Sequence, residues 1–329
     1  MSGVAENNQD MSVQRSLVTS RKNCCEADTK ERALRWYEFE QPLVWSNVLK
    51  MVILHLGCLY GLYRSSEAKW QTWVMFMVYH TLSNLGVTAG AHRLWSHRTY
   101  KATTPYKIML MLFNCISFQN DLIEWCRDHR VHHKFSETPA DPHNAKRGFF
   151  FAHIGWLMMK KHPDVKEKGK TVDISDLLND PVLQFQRKYF YLLALTFSVF
   201  IPTFIPWYFW NEKVMIAYLL CVIVRYMSTL HVTWLVNSAA HLWGSRPYDK
   251  TINPAENMLV TFCAIGEGFH NYHHAFPHDY STSEYGPYLN LTTCFIDLCA
   301  ALGLVTSRRK MTSKMVEARR ERTGIAVKK

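Results

Sequence analysis

Read for hydrophobic and polar positions, the chain falls into four long apolar runs at 43–63, 70–91, 189–210 and 214–236. Each run holds 21 to 23 residues. At about 1.5 Å of rise per residue, a helix of that length reaches ~30 Å, the hydrocarbon thickness of a bilayer. Helices in soluble domains usually stop between about 8 and 20 residues, so the pattern predicts membrane spans. The links RSSEAK (64–69) and NEK (211–213) are short, which pairs the runs into two tight helical hairpins. Two further apolar stretches, KIMLMLFNCISF (107–118) and FFFAHIGWLMM (149–159), are too short to cross. They are expected to rest on the headgroups as interfacial helices. Inside the second run, His80, Asn84, Thr88 and His92 recur every four residues. That spacing lays a polar stripe along one face, and polar groups at membrane depth turn toward the bundle interior.

Charge orients the pattern. The chain carries 38 Lys and Arg against 27 Asp and Glu, a net +11. The basic residues crowd before the first run, between 93 and 188, and near the end, while the two short hairpin links hold three, Arg64, Lys69 and Lys213. Positive charge collects on the cytosolic side, so both termini and the middle segment are expected there. Residues 1–40 are polar, lack an apolar stretch before a cleavage site, and read as a disordered cytosolic tail. A membrane domain is expected over 41–306, with a cytosolic cap formed by 92–188 and 237–306, and a basic cytosolic tail over 307–329. The charge serves orientation and anionic ligands; no nucleic-acid-binding motif accompanies it, so no nucleic-acid partner is expected. Nine cysteines form no C-x-x-C pair, which fits a reducing compartment and excludes a zinc ribbon.

Sixteen histidines supply the chemistry. Eight fall into three clusters: His92 and His97 in GAHRLWSH, His129/His132/His133 in DHRVHHKF, and His270/His273/His274 in GFHNYHHAF. Positions i, i+3 and i+4 share a helix face, so each H-x-x-H-H can aim its imidazoles at a common point. His92 and His97 would stand about 140° apart on a regular helix, which suits two metals or a bend in the helix. All three clusters lie at or beyond the cytosolic ends of the spans. Imidazole suits zinc, copper, nickel and iron alike, but a zinc site fills with about four ligands and eight histidines exceed it. H-E-x-x-H is absent. Two metals facing a bilayer of alkyl chains point to O2-dependent attack on an inert C–H bond, chemistry that side chains cannot perform alone.

At these residues the chain resembles the membrane-bound acyl-CoA desaturases of the animal stearoyl-CoA desaturase type. The resemblance runs from about residue 41 to 324. It includes HRLWSHRTYKA, QNDLIEWCRDHRVHHKFSETPADPHN, WLVNSAAHLWG, RPYDK and GEGFHNYHHAFP. It implies an all-α integral membrane protein of the endoplasmic reticulum, with four transmembrane helices under a cytosolic cap that carries a histidine-rich di-iron centre. Two Fe2+ ions, O2 and electrons from cytochrome b5 and its reductase would introduce a cis double bond, most simply Δ9, into a saturated C16 or C18 fatty acyl-CoA. The family's ligand set adds His241 of NSAAH to the eight clustered histidines, with Asn237 reaching one iron through water. Asn47, Arg127, Asp128, Lys160, Lys161 and Trp234 match its substrate contacts, and His80 and Asn84 are expected to set the depth of an acyl tunnel. Where relatives often show Arg, Lys160 keeps the charge without the bidentate fork. Glu124, Asp128, Asp141 and Glu267 are either surface charges or acceptors for the ligands' second ring nitrogen. No H-P-G-G haem motif occurs, so the electron donor is a separate protein. Three alternatives stay open: another regiospecificity such as Δ11, a related di-iron hydroxylase, and a histidine-rich metal transporter, which would need its ligands inside the spans.

Overall fold

The computed structural model describes residues 41–324. The expected N-terminal tail and the last five residues of the C-terminal one lie outside the described residues. Helix α1 (Trp45–Arg64) turns Leu49, Ile53, Leu56 and Leu59 outward, the reverse of a water-soluble bundle. Helix α2 (Trp70–Leu85) continues without a break into π-helical turns over Gly86–Ser96. Helix α3 (Thr104–Ser117), which contains the first short apolar stretch, buries Leu110, Met111 and Cys115. It crosses α2 so closely that a Cβ on Gly86 would sit 2.3 Å from the backbone of Phe113 and Asn114. Helix α4 (Leu122–Phe135) starts at Asp121, whose side chain accepts from the amides of Ile123 and Glu124. The second short apolar stretch forms a π turn over Phe151–Gly155 and one helical turn, Trp156–Met158.

Helix α5 (Pro181–Trp210) kinks at Tyr189, where the expected span begins, and again loosens into π turns over Thr196–Phe200. Helix α6 (Val214–Leu242) is the most enclosed of the long helices. Among the described residues three helices are long and apolar enough to cross a membrane: Trp45–Glu67, α5 and α6. The second apolar run is a continuous helix but falls outside that set, because the same His80, Ser83, Asn84 and Thr88 that form its polar face dilute its apolarity. The two hairpin links are pinned to each other. Glu212 accepts from the Lys69 amide at 2.8 Å and the Thr72 hydroxyl at 2.5 Å, and Lys69 Nζ donates to the carbonyls of Trp210 and Asn211. α2 and α6 therefore start at the same end and run side by side.

Arg225 in α6 is fully buried and donates to the carbonyls of Ile116, at the C-terminal turn of α3, and Ser198, at the π turn of α5. A cation at the carbonyl end of one helix and the loosened turn of another satisfies both, and it locks three helices together. The cap adds α7 (Met258–Cys263), α8 (His270–Ala275), α9 (Leu291–Ala301) and a two-stranded antiparallel ladder pairing Lys101 with Thr306 and Ala102 with Val305. Beyond residue 306, where a tail is expected, α10 (Ser313–Thr323) packs on the cap with Val316 buried.

Candidate metal centre

Nine histidines meet in two adjoining groups. His92, His97, His129, His133 and His273 form one, and His132, His241, His270 and His274 the other, with the ligand atoms of each group within 4.8 Å of one another. His133 and His274 stack across the boundary at 4.1 Å.

The π turns explain His92 and His97. In an i→i+5 hydrogen-bonding pattern, here His97 N donating to His92 O at 3.1 Å, residues five apart return to nearly the same side. Both rings consequently serve one group, and the two-metal reading of their spacing is replaced by the bend. Each H-x-x-H-H box also behaves differently from the expected common point. In α4 the i,i+4 pair His129 and His133 enters the five-histidine group and His132 the other; in α8 the pair His270 and His274 enters the four-histidine group and His273 the five. Positions i+3 and i+4 lie about 100° apart around a helix, so a box wedged between two groups divides between them.

The donor geometry fits metal ions. Two nitrogens each about 2.1 Å from one ion and at right angles stand about 3 Å apart. The Nε2 pairs His92–His273, His97–His129 and His241–His270 are 2.9 Å apart, and His133–His273 3.0 Å. Nε2 of His274 is buried with no protein partner. Three carboxylates fix ring orientation by accepting Nδ1–H: Glu267 from His92 at 2.8 Å, Asp141 from His132 at 2.9 Å and Glu137 from His241 at 2.7 Å, which leaves each Nε2 lone pair for an ion. Five imidazoles around one point exceed the four of a closed tetrahedral zinc site, so the larger group suits an ion of higher coordination number.

Burial, reinforced by neighbouring imidazoles, pushes His97, His129, His133, His270, His273 and His274 well below the ordinary histidine value, so their rings are neutral ligands at pH 7. Burial pushes the Glu267 carboxyl up, but Arg93 and His92 outweigh it and hold it at about 2. Asp141 is likewise lowered, against burial, by His132. His143 approaches the same carboxylate at 3.6 Å and is itself held at about 3 by burial and by His132.

Of the four carboxylates with two readings, Asp141 and Glu267 hold histidine rings of the two groups, His132 and His92. Glu124 and Asp128 instead form an ion-pair cluster: Arg127 reaches Asp128 at 2.8 Å and Glu124 at 3.7 Å, and Lys161 pairs with Asp128 and, at 3.8 Å, with Glu124. Lys160 is exposed and its amide donates to Pro42 O, while Asn47 donates to Leu157 O at 2.9 Å. Trp234 is buried against His153, His231 and residues of α1. A cavity of about 50 Å³ opens beside His92, His132 and His270 and runs along Asn237, Thr88 and Asn84. His80 does not line it but holds Asn84, Nε2 to Nδ2 at 3.0 Å, and faces Thr229. A larger groove between α5 and α6, about 530 Å³, is lined by residues such as Phe204 and Trp207 and contains no histidine.

Two residues escape sequence reasoning. Glu137 sits at φ 62°, in the left-handed region, which turns its side chain to His241. Arg93, fully buried, clasps Glu267 at 2.7 and 3.1 Å from the position next to His92. Neither spacing nor composition marks them.

Known proteins resolve what this geometry belongs to. The fatty acid desaturase family matches residues 68–290. An acyl-CoA desaturase of Cyprinus carpio is 58% identical over 283 residues, covering 86% of each chain. Stearoyl-CoA desaturase 5 of Bos taurus is 56% identical over 86% of this chain and 85% of its own, and stearoyl-CoA desaturase of Homo sapiens 54% identical over 85% and 78%. With a family match across most of its length and its histidines gathered into two metal-competent groups, this chain belongs to the fatty acid desaturase family.

Proposed function

We propose that the protein is a Δ9 acyl-CoA desaturase that converts a saturated C16 or C18 acyl-CoA to its cis-monounsaturated product. The observation that carries this reading is the partition of nine histidines into groups of five and four at the head of a narrow cavity. The reaction consumes O2, two electrons and two protons, removes two hydrogens from adjacent carbons, and releases two waters. The five- and four-histidine groups would hold two iron ions, with Asn237 contributing through water, and the bound metal would supply O2 activation. Electrons come from cytochrome b5 docking on the basic cytosolic face.

The chain's own residues bind, orient and exclude water. Arg127 and Lys161, with Asp128 between them, and exposed Lys160 form the entrance for the anionic CoA part; Asn47 and Trp234 are the remaining substrate contacts. The acyl chain then follows the cavity between α2 and α6. Burial of Glu267, Asp141 and Glu137 with their histidines fixes which ring nitrogen faces the metals before substrate arrives, so positioning is set in advance. Four transmembrane helices are inferred, α2 being the fourth: Trp70, Val74 and Met77 on it are exposed like the outward apolar residues of α1. The cap and both termini face the cytosol and the membrane is that of the endoplasmic reticulum. Residues 41–306 form the core desaturase domain.

Expression in a yeast lacking its own desaturase should yield cis Δ9 double bonds, located by mass spectrometry, and His273→Ala should abolish them. Double bonds elsewhere would revise the depth of the acyl site, and hydroxylated chains would replace desaturation. The far end of the cavity makes its own prediction. His80 secures Asn84, which lines the wall, so replacing both with alanine deepens the site and should shift product toward longer acyl chains in the same yeast. An unchanged chain-length profile would remove both residues from that role.

A further inference from the structure

The motif RPYDK has no part in the chemistry above, and neither does the helix that follows residue 306. We propose that together they form a clamp that positions the third histidine box, and that α10 is therefore required for metal retention. The inference rests on the metal reading just given.

The box needs outside support. Helix α8, which presents His270, His273 and His274, has six residues and no side-chain cap at its N-terminus; one and a half turns do not persist alone. Its two intervening residues point away from the histidine groups, and both are fully engaged. Asn271 Oδ1 accepts from the amides of Tyr248 and Asp249 at 2.9 and 3.1 Å, while its Nδ2 donates to the carbonyls of Asp249 and Pro254 at 2.8 and 2.9 Å. Every hydrogen-bonding position of that amide is thus tied to the RPYDK loop and its continuation, which fixes the rotation of α8 about its axis. Tyr272 donates to Asp279, which also accepts from the Met311 amide at 2.8 Å, and its ring packs on Tyr248 at 5.0 Å.

Helix α10 closes the loop from the other side. Val316 fills the apolar pocket formed with Tyr248 and Tyr272. Arg320 lies over the Tyr248 ring at 5.1 Å and donates to both carboxylate oxygens of Glu284 at 2.8 and 3.0 Å; Arg319 pairs with Asp249. Thr323 donates to Tyr248 O, and its own carbonyl accepts from the Lys250 amide. Gly324 permits this approach, since a Cβ there would stand 2.1 Å from Pro247 O. No residue named on α10 touches a histidine, so its residues act as positioning residues through the loop. Because α8 gives one histidine to the first group and two to the second, loosening the clamp disturbs both.

The test uses the purified full-length protein loaded with Fe2+ and measures iron loss to an excess of chelator. Arg320→Glu and Glu284→Arg should each release iron about tenfold faster than wild type, and the charge-swapped double variant should return to within about twofold. Gly324→Ala, a smaller change, should release faster as well, while Lys314→Ala on the exposed face should match wild type. Helical circular dichroism and the unfolding midpoint are followed in each. Release at the wild-type rate in the single variants, a double variant no slower than either single, or faster release only where the whole cap unfolds would each overturn the clamp. A wild-type chain that retains no iron would overturn the metal reading itself, a result distinct from any of these.

Discussion

Glu267→Ala is expected to destabilise the cap by about 3–5 kcal/mol, because it leaves the buried Arg93 charge without its carboxylate. Arg93 is wholly enclosed and would retain only the Tyr280 carbonyl, Thr293 Oγ1 and Asn290 Oδ1 as acceptors, none of them charged. The same substitution removes the acceptor of His92 Nδ1–H, so that ring loses its fixed orientation and its Nε2 no longer faces the ion by default. Loss of such an outer partner lowers metal affinity about 10- to 100-fold. The two effects have one origin, a carboxylate shared by a structural cation and a ligand. Glu267→Gln separates them in part: its single carbonyl oxygen can accept from His92 or from Arg93, while its amide opposes the other donor. Thermal unfolding and iron content of the purified variants, measured side by side, check both. A Glu267→Ala protein as stable and as metal-rich as wild type would remove Glu267 from this role.

The long helices were legible because membrane spans are written in composition: a run of apolar residues near the length of a bilayer needs no knowledge of neighbours. Where composition mixed two demands, legibility fell. Helix α2 carries an apolar outer face and a polar inner one, so its average says less than either face. The histidine boxes announced metal chemistry by spacing alone, yet which histidine joins which group depends on how α4 and α8 face each other, a tertiary fact absent from either segment. The π turns at Gly86–Ser96 belong to the same class, since they arise where α2 meets α3 at Gly86 and carry no signature a propensity would register. The RPYDK loop could be quoted as a motif without a role until Asn271 was seen to bind its backbone. The stretch past residue 306 looked like a tail because charge dominates it, yet buried Val316 together with the polar contacts of Met311, Arg319, Arg320 and Thr323 folds it onto the cap.

Acid should open the metal-free cap between about pH 6 and pH 5, well above the range in which its lowered carboxylates, Glu267 and Asp141, titrate. Six histidines, at 97, 129, 133, 270, 273 and 274, are lowered by burial and by one another. A group with a depressed histidine pKa binds its proton in the unfolded chain first, so the unfolded state gains protons as pH falls below ~6.5 and stability declines. Each such group costs about 1.4 kcal/mol per pH unit in that range, and six together up to about 8, comparable with the whole stability of an ordinary domain. The lowered Glu267 carboxyl also loses stability on acidification, but only between its unfolded value of about 4.3 and its folded value of about 2. Its window lies too low to set the transition. Bound metal keeps the imidazoles deprotonated and competes with protons for the same nitrogens, so the loaded protein should hold to lower pH and release its ions as it opens. Tryptophan fluorescence and iron release against pH, in detergent, report both transitions. Equal acid sensitivity with and without iron would show that the histidine groups do not hold the ion, whereas stability unchanged from pH 7 to 5 in the metal-free protein would mean that the cap admits protons without opening.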